Sequence, residues 1–295
     1  MKSNTKATSA IAAVLMVAAS AASADSVTLD RIKDNGSITI GHREASIPFS
    51  YLGANQEPVG FSLDLCEKIV AKIEADLGEE IDVNYVPVNS SNRIPLIQNG
   101  TVDIECGGTA NNKTRQEQVS FSVATFVSQP AWLTMSASGL KEAADLKGQT
   151  VVATQGSNAV GFAQQMSTDG LDLNLVQAKD HAESFLMLTS GRAKAFLEDD
   201  ILLAGLRAAA SDPSTLAFLP DSYDKIYYGL MFAKDDAEFK ALVDGVLSDM
   251  MASGEFTQAY EKWFMQPIPP KNQNLDFPMS EALKERVANP SDSVE

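Results

Sequence analysis

The sequence has little positive charge. Its 23 Lys and Arg residues stand against 39 Asp and Glu residues, which gives a formal net charge of -16. Such an acidic chain does not belong to the classes of protein that bind nucleic acid or anionic membrane surfaces. A small anionic ligand remains compatible with it, because the charge of a binding site is a local property. We therefore expect no nucleic acid as a partner.

Cysteine and histidine are scarce, with two residues of each. So few ligands do not make a metal site, and we expect neither a metal nor a cofactor. An oxidising compartment would allow Cys66 and Cys106 to pair, but their spacing does not decide it. Cys66 lies on the apolar face of a predicted helix, which favours two buried thiols over a disulfide.

A long hydrophobic run is also missing. The apolar stretch 10–19 is shorter than the ~20 residues that span a bilayer, so a signal peptide is favoured over a membrane anchor. Lys2 and Lys6 precede this stretch, and small residues follow at 22–24, as at a secretory cleavage site. We predict that residues 1–24 are removed near Ala24 and that the chain is exported to the periplasm. The mature chain then has 21 basic and 39 acidic side chains, a net charge of -18.

What the sequence does contain is a repeated order of strand, turn and helix. Hydrophobic residues make up 44% of a chain of 295 residues, enough for two packed domains. In the first half we predict strands at 37–44, 81–88 and 101–106 and helices at 62–76 and 90–98. In the second half we predict strands at 146–157, 171–178 and 192–200 and helices at 157–166 and 181–191. This repetition predicts two α/β lobes.

Two extended segments, 120–130 and 225–233, are predicted to cross between the lobes, and residues 235–264 to return to the first lobe as two helices. The predicted boundaries are 25–125 for the first part of lobe 1, 126–229 for lobe 2, and 230–295 for the return of lobe 1 and the tail. In open α/β sheets, ligands bind beyond the carboxyl ends of the strands. We therefore expect a cleft between the lobes at those ends.

Several motifs carry a family resemblance: "GHREASIPFSYL", "NRIPLIQNGTVDIECGGTANNKTRQ", "AKDHAESFLMLTSGRAKAFLEDDILLAG" and "WFMQPIPPKN". Through them the chain resembles the periplasmic solute-binding proteins of polar amino-acid ABC transporters (solute-binding protein family 3), in particular those that bind glutamate and aspartate. The resemblance implies a type II periplasmic binding protein fold, in which a cleft lies between lobes joined by two hinge crossings. It also implies a monomer that is not an enzyme and that delivers acidic L-amino acids to an inner-membrane ABC permease.

The resemblance carries site roles to individual positions. Arg115 matches the arginine that binds the α-carboxylate of the ligand, and Asp199 matches the carboxylate that binds the α-ammonium group. The group around the side-chain carboxylate corresponds to Arg43, Ser90, Arg93 and His181. Guanidinium groups suit these roles because they bind carboxylates through two parallel hydrogen bonds. The helix start after Gly156 offers further N–H donors to the α-carboxylate.

Three predicted ligand-binding positions depart from the family pattern. Relatives usually have serine at Gly108, threonine at Ala110 and threonine at Asn158. The backbone groups remain at all three positions, but hydroxyl contacts near the amino-acid end of the ligand are lost. The departures leave glutamine or asparagine as alternative ligands. His42 is expected to pack in its strand near the site without contacting ligand.

Other functions on the same fold stay open at this point. One is a periplasmic dehydratase, which needs a general acid or base over the substrate, for which Glu44 and Glu198 are the nearest candidates. Another is a sensor that reports its ligand to a receptor. The sequence has no Ser/His/Asp, metal or nucleotide signature, so we favour a binding protein over an enzyme.

Overall fold

The computed structural model of the protein describes residues 26–295. The predicted signal peptide, residues 1–24, lies outside the described residues. Among residues 26–295, none of the helices combines the length and hydrophobicity that a membrane span requires.

The helices and strands alternate along most of the chain. The ten α-helices are α1 (Val27–Asn35), α2 (Phe61–Leu77), α3 (Arg93–Gln98), α4 (Lys113–Gln116), α5 (Asn158–Met166), α6 (His181–Thr189), α7 (Asp200–Ala209), α8 (Ala237–Ser253), α9 (Glu255–Phe264) and α10 (Glu281–Ala288) in the described residues. The strands are β1 (Ser37–His42), β2 (Ala45–Ser46), β3 (Ser50–Leu52), β4 (Pro58–Val59), β5 (Asp82–Pro87), β6 (Ile104–Glu105), β7 (Ala110–Asn111), β8 (Ser120–Phe121), β9 (Phe126–Ser128), β10 (Pro130–Met135), β11 (Thr150–Thr154), β12 (Asn174–Ala178), β13 (Ala195–Asp199), β14 (Leu216–Phe218), β15 (Ile226–Tyr228) and β16 (Met231–Phe232). Short 3-10 or π-helical turns occupy Ser136–Ser138, Ala143–Leu146, Ser167–Leu171 and Pro213–Thr215.

Two five-stranded sheets share one topology. The first has the order β5-β1-β6-β16-β8, and the second has the order β12-β11-β13-β10-β14. In each sheet the first three strands are parallel, and the fourth, β16 or β10, runs antiparallel to them. The fifth strand, β8 or β14, pairs antiparallel with the fourth and so runs in the direction of the first three. We call the parts of the chain built on these two sheets the first lobe and the second lobe. The predicted repeat of two α/β units is confirmed.

Two extended segments join the lobes, as predicted. The first passes from β8 in the first sheet through β9 to β10 in the second, and the other passes from β14 through β15 to β16. Between the lobes, β9 and β15 pair with β7 in an antiparallel three-stranded sheet. The chain then continues as α8 and α9, the two helices expected over 235–264.

The amphipathic helix α2 covers the first sheet. Its buried face includes Phe61, Leu65, Cys66 and Ile69, and it ends at Gly78, whose φ of 76° is in the left-handed region that glycine tolerates. An aromatic cluster holds the base of the cleft, with Phe49 in edge-to-face contact with four other rings. Those rings are Phe61, Phe126, Tyr228 and Phe264.

The expectation of two buried thiols is wrong, because Cys66 and Cys106 form a disulfide. Helix α2 lies over the first sheet, and this packing brings the Cα atoms of the two residues to 6.4 Å. Cys106 directly follows β6, so the disulfide links α2 to the carboxyl end of β6, where the cleft is predicted. Burial of Cys66 on the apolar face was predicted correctly, but its partner depends on contacts between residues 40 positions apart.

Candidate ligand-binding site

The structure brings the nine predicted site residues to the surface where the two lobes face each other. From the first lobe come Arg43 after β1, Ser90 and Arg93 around the start of α3, Gly108 and Ala110 after β6, and Arg115 in α4. From the second lobe come Asn158 at the start of α5, His181 at the start of α6, and Asp199 at the end of β13. The carboxyl ends of strands from both sheets thus meet, as expected for an α/β cleft.

Two arginines of the first lobe lie side by side. Arg43 is 2% and Arg93 3% exposed, so both guanidinium groups are almost entirely out of water. Arg43 donates to the Ser90 hydroxyl at 3.1 Å. Burial, followed by the like charge of Arg93, disfavours the charged form of Arg43 and lowers its pKa to about 10.

A buried glutamate partly neutralises this pair. Glu105 is fully buried at the end of β6, and its carboxylate lies 3.9 Å from Arg93 Nη1. Arg93 donates to the Thr109 hydroxyl, which in turn donates to Glu105. A buried charge without a partner is strongly unfavourable, so Glu105 and Thr109 fix the orientation of Arg93.

Arg115 connects the two lobes. Its guanidinium donates to the Ala110 carbonyl at 2.8 Å and to the Gly156 carbonyl of the second lobe at 3.0 Å. Burial, followed by the charge of Arg93, lowers the pKa of Arg115 to about 9. Helix α4 is positioned by Asn112, whose side chain accepts from the Arg115 backbone N–H at 2.9 Å.

Asp199 is buried opposite Arg115. Its carboxylate accepts a hydrogen bond from the hydroxyl of Tyr228, which belongs to β15 between the lobes. Burial and then the neighbouring Glu198 carboxylate raise the pKa of Asp199 well above its usual range. A cationic group at this position would offset the cost of ionising this carboxyl group.

His181, at the start of α6 in the second lobe, faces Arg43 and Arg93 of the first lobe. Its Nδ1 is 2.8 Å from the Thr154 hydroxyl and 3.4 Å from a carboxylate oxygen of Glu198. Burial, followed by the charges of Arg43 and Arg93, lowers the pKa of His181 well below its usual range. The imidazole is therefore neutral near neutral pH. His181 therefore adds no positive charge to those of Arg43 and Arg93.

The three departing positions each lie close to another residue of the candidate site. A Cβ on Gly108 would lie 3.1 Å from the rings of Phe49 and Tyr228, so a serine there needs these rings to shift. The Ala110 carbonyl accepts from Arg115, a contact that survives the loss of a hydroxyl. Asn158 accepts a hydrogen bond from Asn112 across the lobes at 3.0 Å.

Unpaired polar atoms converge on the same surface. Among residues 26–295, eight buried side-chain nitrogen or oxygen atoms have no hydrogen-bond partner. Five of the eight belong to residues at the meeting of the lobes: Arg43 Nη1, Arg93 Nε, Glu105 Oε1, Ser157 Oγ and Glu198 Oε2. Buried polar groups are nearly always paired, so this concentration makes the meeting of the lobes the candidate site for a polar ligand.

Sequence reasoning missed Glu105 altogether and considered Glu198 only as a possible catalytic group. The sequence signal for both residues was an acidic side chain inside a predicted strand with apolar neighbours. A buried acid needs a partner, so such a residue indicates a polar contact. Glu44, the other acid considered for catalysis, is exposed. His42 lies in β1 as predicted, buried, with Nδ1 3.2 Å from the Arg43 carbonyl. Within the described residues no group of three or more potential ligands could hold a metal ion.

Comparison with known proteins identifies the family. The profile of the bacterial extracellular solute-binding proteins, family 3, matches residues 38–266, most of the chain. The chain belongs to this family. This solute-binding protein is 48% identical to the L-glutamate/L-aspartate-binding protein of Pseudomonas aeruginosa, over 97% of the chain and 95% of the relative. It is 41% identical to the glutamate/aspartate import solute-binding protein of Escherichia coli, with the same coverage.

A solved structure gives the same fold. The solute receptor for L-cysteine of Neisseria gonorrhoeae has a TM-score of 0.71 to this family member at 24% identity, over 86% of this chain and 99% of the other. The predicted type II periplasmic binding protein fold and the predicted family are confirmed. The relatives from P. aeruginosa and E. coli are both named as binding proteins.

Proposed function

We propose that this solute-binding protein captures L-glutamate and L-aspartate in the periplasm and delivers them to an ABC permease of the inner membrane. The observation that carries the proposal is the set of unpaired buried atoms beside three arginines. The proposal includes cleavage of the signal peptide near Ala24, a monomeric mature protein, and lobe boundaries at 125/126 and 229/230.

The chemistry of the site matches an acidic amino acid at both ends. Arg43 Nη1 and Arg93 Nε are buried donors without partners, and a side-chain carboxylate between them would accept both hydrogen bonds. Arg115 would bind the α-carboxylate, together with the N–H groups at the start of α5. Asp199 would bind the α-ammonium group, whose positive charge favours the ionised carboxyl group.

The remaining predicted residues complete this arrangement. Ser90 holds Arg43 through a hydrogen bond, and the neutral His181 would lie beside the side-chain carboxylate as a polar contact without charge. Gly108, Ala110 and Asn158 would present backbone and amide groups at the amino-acid end. Glutamate and aspartate differ by one methylene, worth only about 1 to 3 kcal/mol in a fitted pocket, so both should bind.

Calorimetry of purified, ligand-stripped protein against the twenty amino acids tests the proposal. Stripping is required because a tight binder carries its ligand through purification. We expect glutamate and aspartate to bind more tightly than every neutral and basic amino acid at neutral pH. A stronger neutral or basic ligand would contradict the assignment, and turnover of a bound compound would favour an enzyme.

A further inference from the structure

Glu198 is a buried carboxyl group for which the binding mode above has no role. It is 2% exposed, at the end of β13, next to Asp199. Its Oε1 accepts from the Asp199 backbone N–H at 3.3 Å, while its Oε2 has no hydrogen-bond partner. Burial raises the pKa of Glu198 above its usual range, and the nearby Ser157 hydroxyl, which has no hydrogen-bond partner in this structure, acts against that rise. A buried carboxyl oxygen without a donor is unfavourable, so we expect a ligand atom or a proton on Oε2.

The neighbouring histidine does not supply that hydrogen. Ser184 donates its only hydrogen to the Asp180 carbonyl at 2.9 Å, so the Thr154 hydroxyl donates to Ser184. Thr154 then accepts the Nδ1–H of neutral His181 at 2.8 Å. With that hydrogen used, Glu198 Oε2, 3.4 Å from the same nitrogen, stays free.

Counted formally, the charges at the side-chain end of the site balance before a ligand enters. Arg43 and Arg93 count as two positive charges, and the carboxylates of Glu105 and Glu198 count as two negative ones. The charged or titratable groups that face Glu198 from the surrounding elements are Arg43, Arg93, Arg115, His181, Asp199 and Tyr228. An amide side chain leaves this balance unchanged, whereas a carboxylate adds an excess negative charge in a buried site.

We propose that Glu198 determines specificity between acidic and amide side chains by binding one proton from solvent when the ligand is acidic. The proton binds Oε2 and gives a neutral carboxylic acid, which can donate a hydrogen bond to the ligand carboxylate. Ionised Glu198 instead accepts a hydrogen bond from the N–H₂ group of glutamine or asparagine. This inference rests on the proposed function and adds proton uptake to it.

Proton uptake gives glutamate binding a definite pH dependence. Glutamate affinity falls about tenfold per unit rise of pH, between the pKa of Glu198 in the ligand-free protein and its higher pKa in the glutamate complex. Glutamine affinity falls less, because an amide does not raise the pKa of Glu198 in this way. Below both pKa values of Glu198, its carboxyl group contributes no pH dependence.

The test is calorimetry of ligand-stripped protein with glutamate and glutamine, at about pH 6 and about pH 8.5, in buffers of different ionisation enthalpy. The proteins are wild type, Glu198→Gln, and the matched control Glu183→Gln, which changes an exposed acid of the same lobe. We expect wild type to take up protons with glutamate. At the higher pH, Glu198→Gln should raise the ratio of glutamate to glutamine affinity by about tenfold or more.

The results separate this inference from the proposed function. If wild type prefers glutamate but takes up no proton, and Glu198→Gln leaves the ratio unchanged, the inference is wrong and the proposed function stands. If wild type prefers glutamine and Glu198→Gln shifts the ratio to glutamate, the proposed function is wrong and the inference stands. If neither ligand binds wild type or Glu198→Gln, both are contradicted. An equal shift in Glu183→Gln would also overturn the role of Glu198.

Discussion

Strands β1 and β6 of the first lobe correspond to β11 and β13 of the second, and backbone hydrogen bonds fix the correspondence. The Asp103 N–H donates to the Thr39 carbonyl at 2.9 Å, and the Lys194 N–H donates to the Thr150 carbonyl at 2.7 Å. The first bond joins β1 to β6, and the second joins β11 to β13, the equivalent parallel pair of the other lobe. Residues four positions after the donors and acceptors of these bonds therefore lie at equivalent strand ends.

The two lobes place different chemistry at these equivalent ends. The first lobe has Arg43 where the second has Thr154, and it has glycines at 107–108 where the second has the acids 198–199. Cations thus come from the first lobe, and the unmatched acids come mainly from the second. Because a free amino acid carries both signs of charge, it can join the lobes where neither alone offers a complete site.

Removal of Arg93 should have the largest effect, because it deletes one of the three buried arginines that the first lobe contributes. We expect Arg93→Ala to weaken glutamate binding by roughly 2 to 5 kcal/mol, since the ligand carboxylate loses a buried partner. Calorimetry measures the loss. Arg192→Ala is the control, because Arg192 is exposed and bonds only to Ser190 nearby. Unchanged affinity in Arg93→Ala would remove this arginine from the site.

Closure of the lobes on each other depends on Gly156. Its φ is +79°, and a Cβ there would lie 2.6 Å from the Ser90 carbonyl of the opposite lobe. We expect Gly156→Ala to weaken glutamate binding by about 1 to 3 kcal/mol and to keep the lobes apart. Small-angle scattering should show a smaller decrease in radius with ligand than in wild type. A wild-type decrease in the variant would contradict the closure mechanism.

Gly107 keeps the first-lobe strand end open for charged side chains. A Cβ there would lie 2.2 Å from Glu105 Oε1 and 2.9 Å from Arg43 Cγ. Side chains can rotate away more easily than backbone, so Gly107→Ala should cost about 1 kcal/mol of glutamate affinity. Gly161→Ala is the control for both glycines, since no atom lies within 4 Å of its Cβ position. Equal affinities for the Gly107 and Gly161 variants would show that the strand end tolerates a side chain.

His181 should produce the smallest effect, because burial and then Arg43 and Arg93 hold its pKa well below the usual range. We expect the imidazole to be neutral at about pH 6.5, the ordinary pKa of histidine, and at higher pH, with its proton on Nδ1. Nitrogen-15 NMR of the imidazole reports both the charge and the tautomer. A charged imidazole at neutral pH would give the second lobe a cation and weaken the contrast between the lobes.

Much of the fold is readable from periodicity. The helix predicted at 62–76 is Phe61–Leu77, because its apolar residues recur at helical spacing. The strand predicted at 101–106 is reduced to Ile104–Glu105, and the preceding Asp103 uses its side chain to bind Arg31 and the Thr39 N–H. Such side-chain contacts depend on the tertiary fold and leave no periodic signal.

Family motifs predict which residues meet between the lobes, whereas packing determines the bonding and charge of several of them. The arginines follow from family motifs, and the structure brings them together. The disulfide, the neutral His181 and the roles of Glu105 and Glu198 depend on burial and on neighbours distant in sequence. Each of these buried groups has a charge or bonding state that its surroundings determine.

A crystal structure of the protein with glutamate tests the central claim most directly. The side-chain carboxylate should lie within hydrogen-bond distance of Arg43 Nη1 and Arg93 Nε. The α-carboxylate should contact Arg115 and the α-ammonium group should contact Asp199, with both lobes closed on the ligand. A ligand bound in the reverse orientation, or bound to one lobe only, would contradict the account.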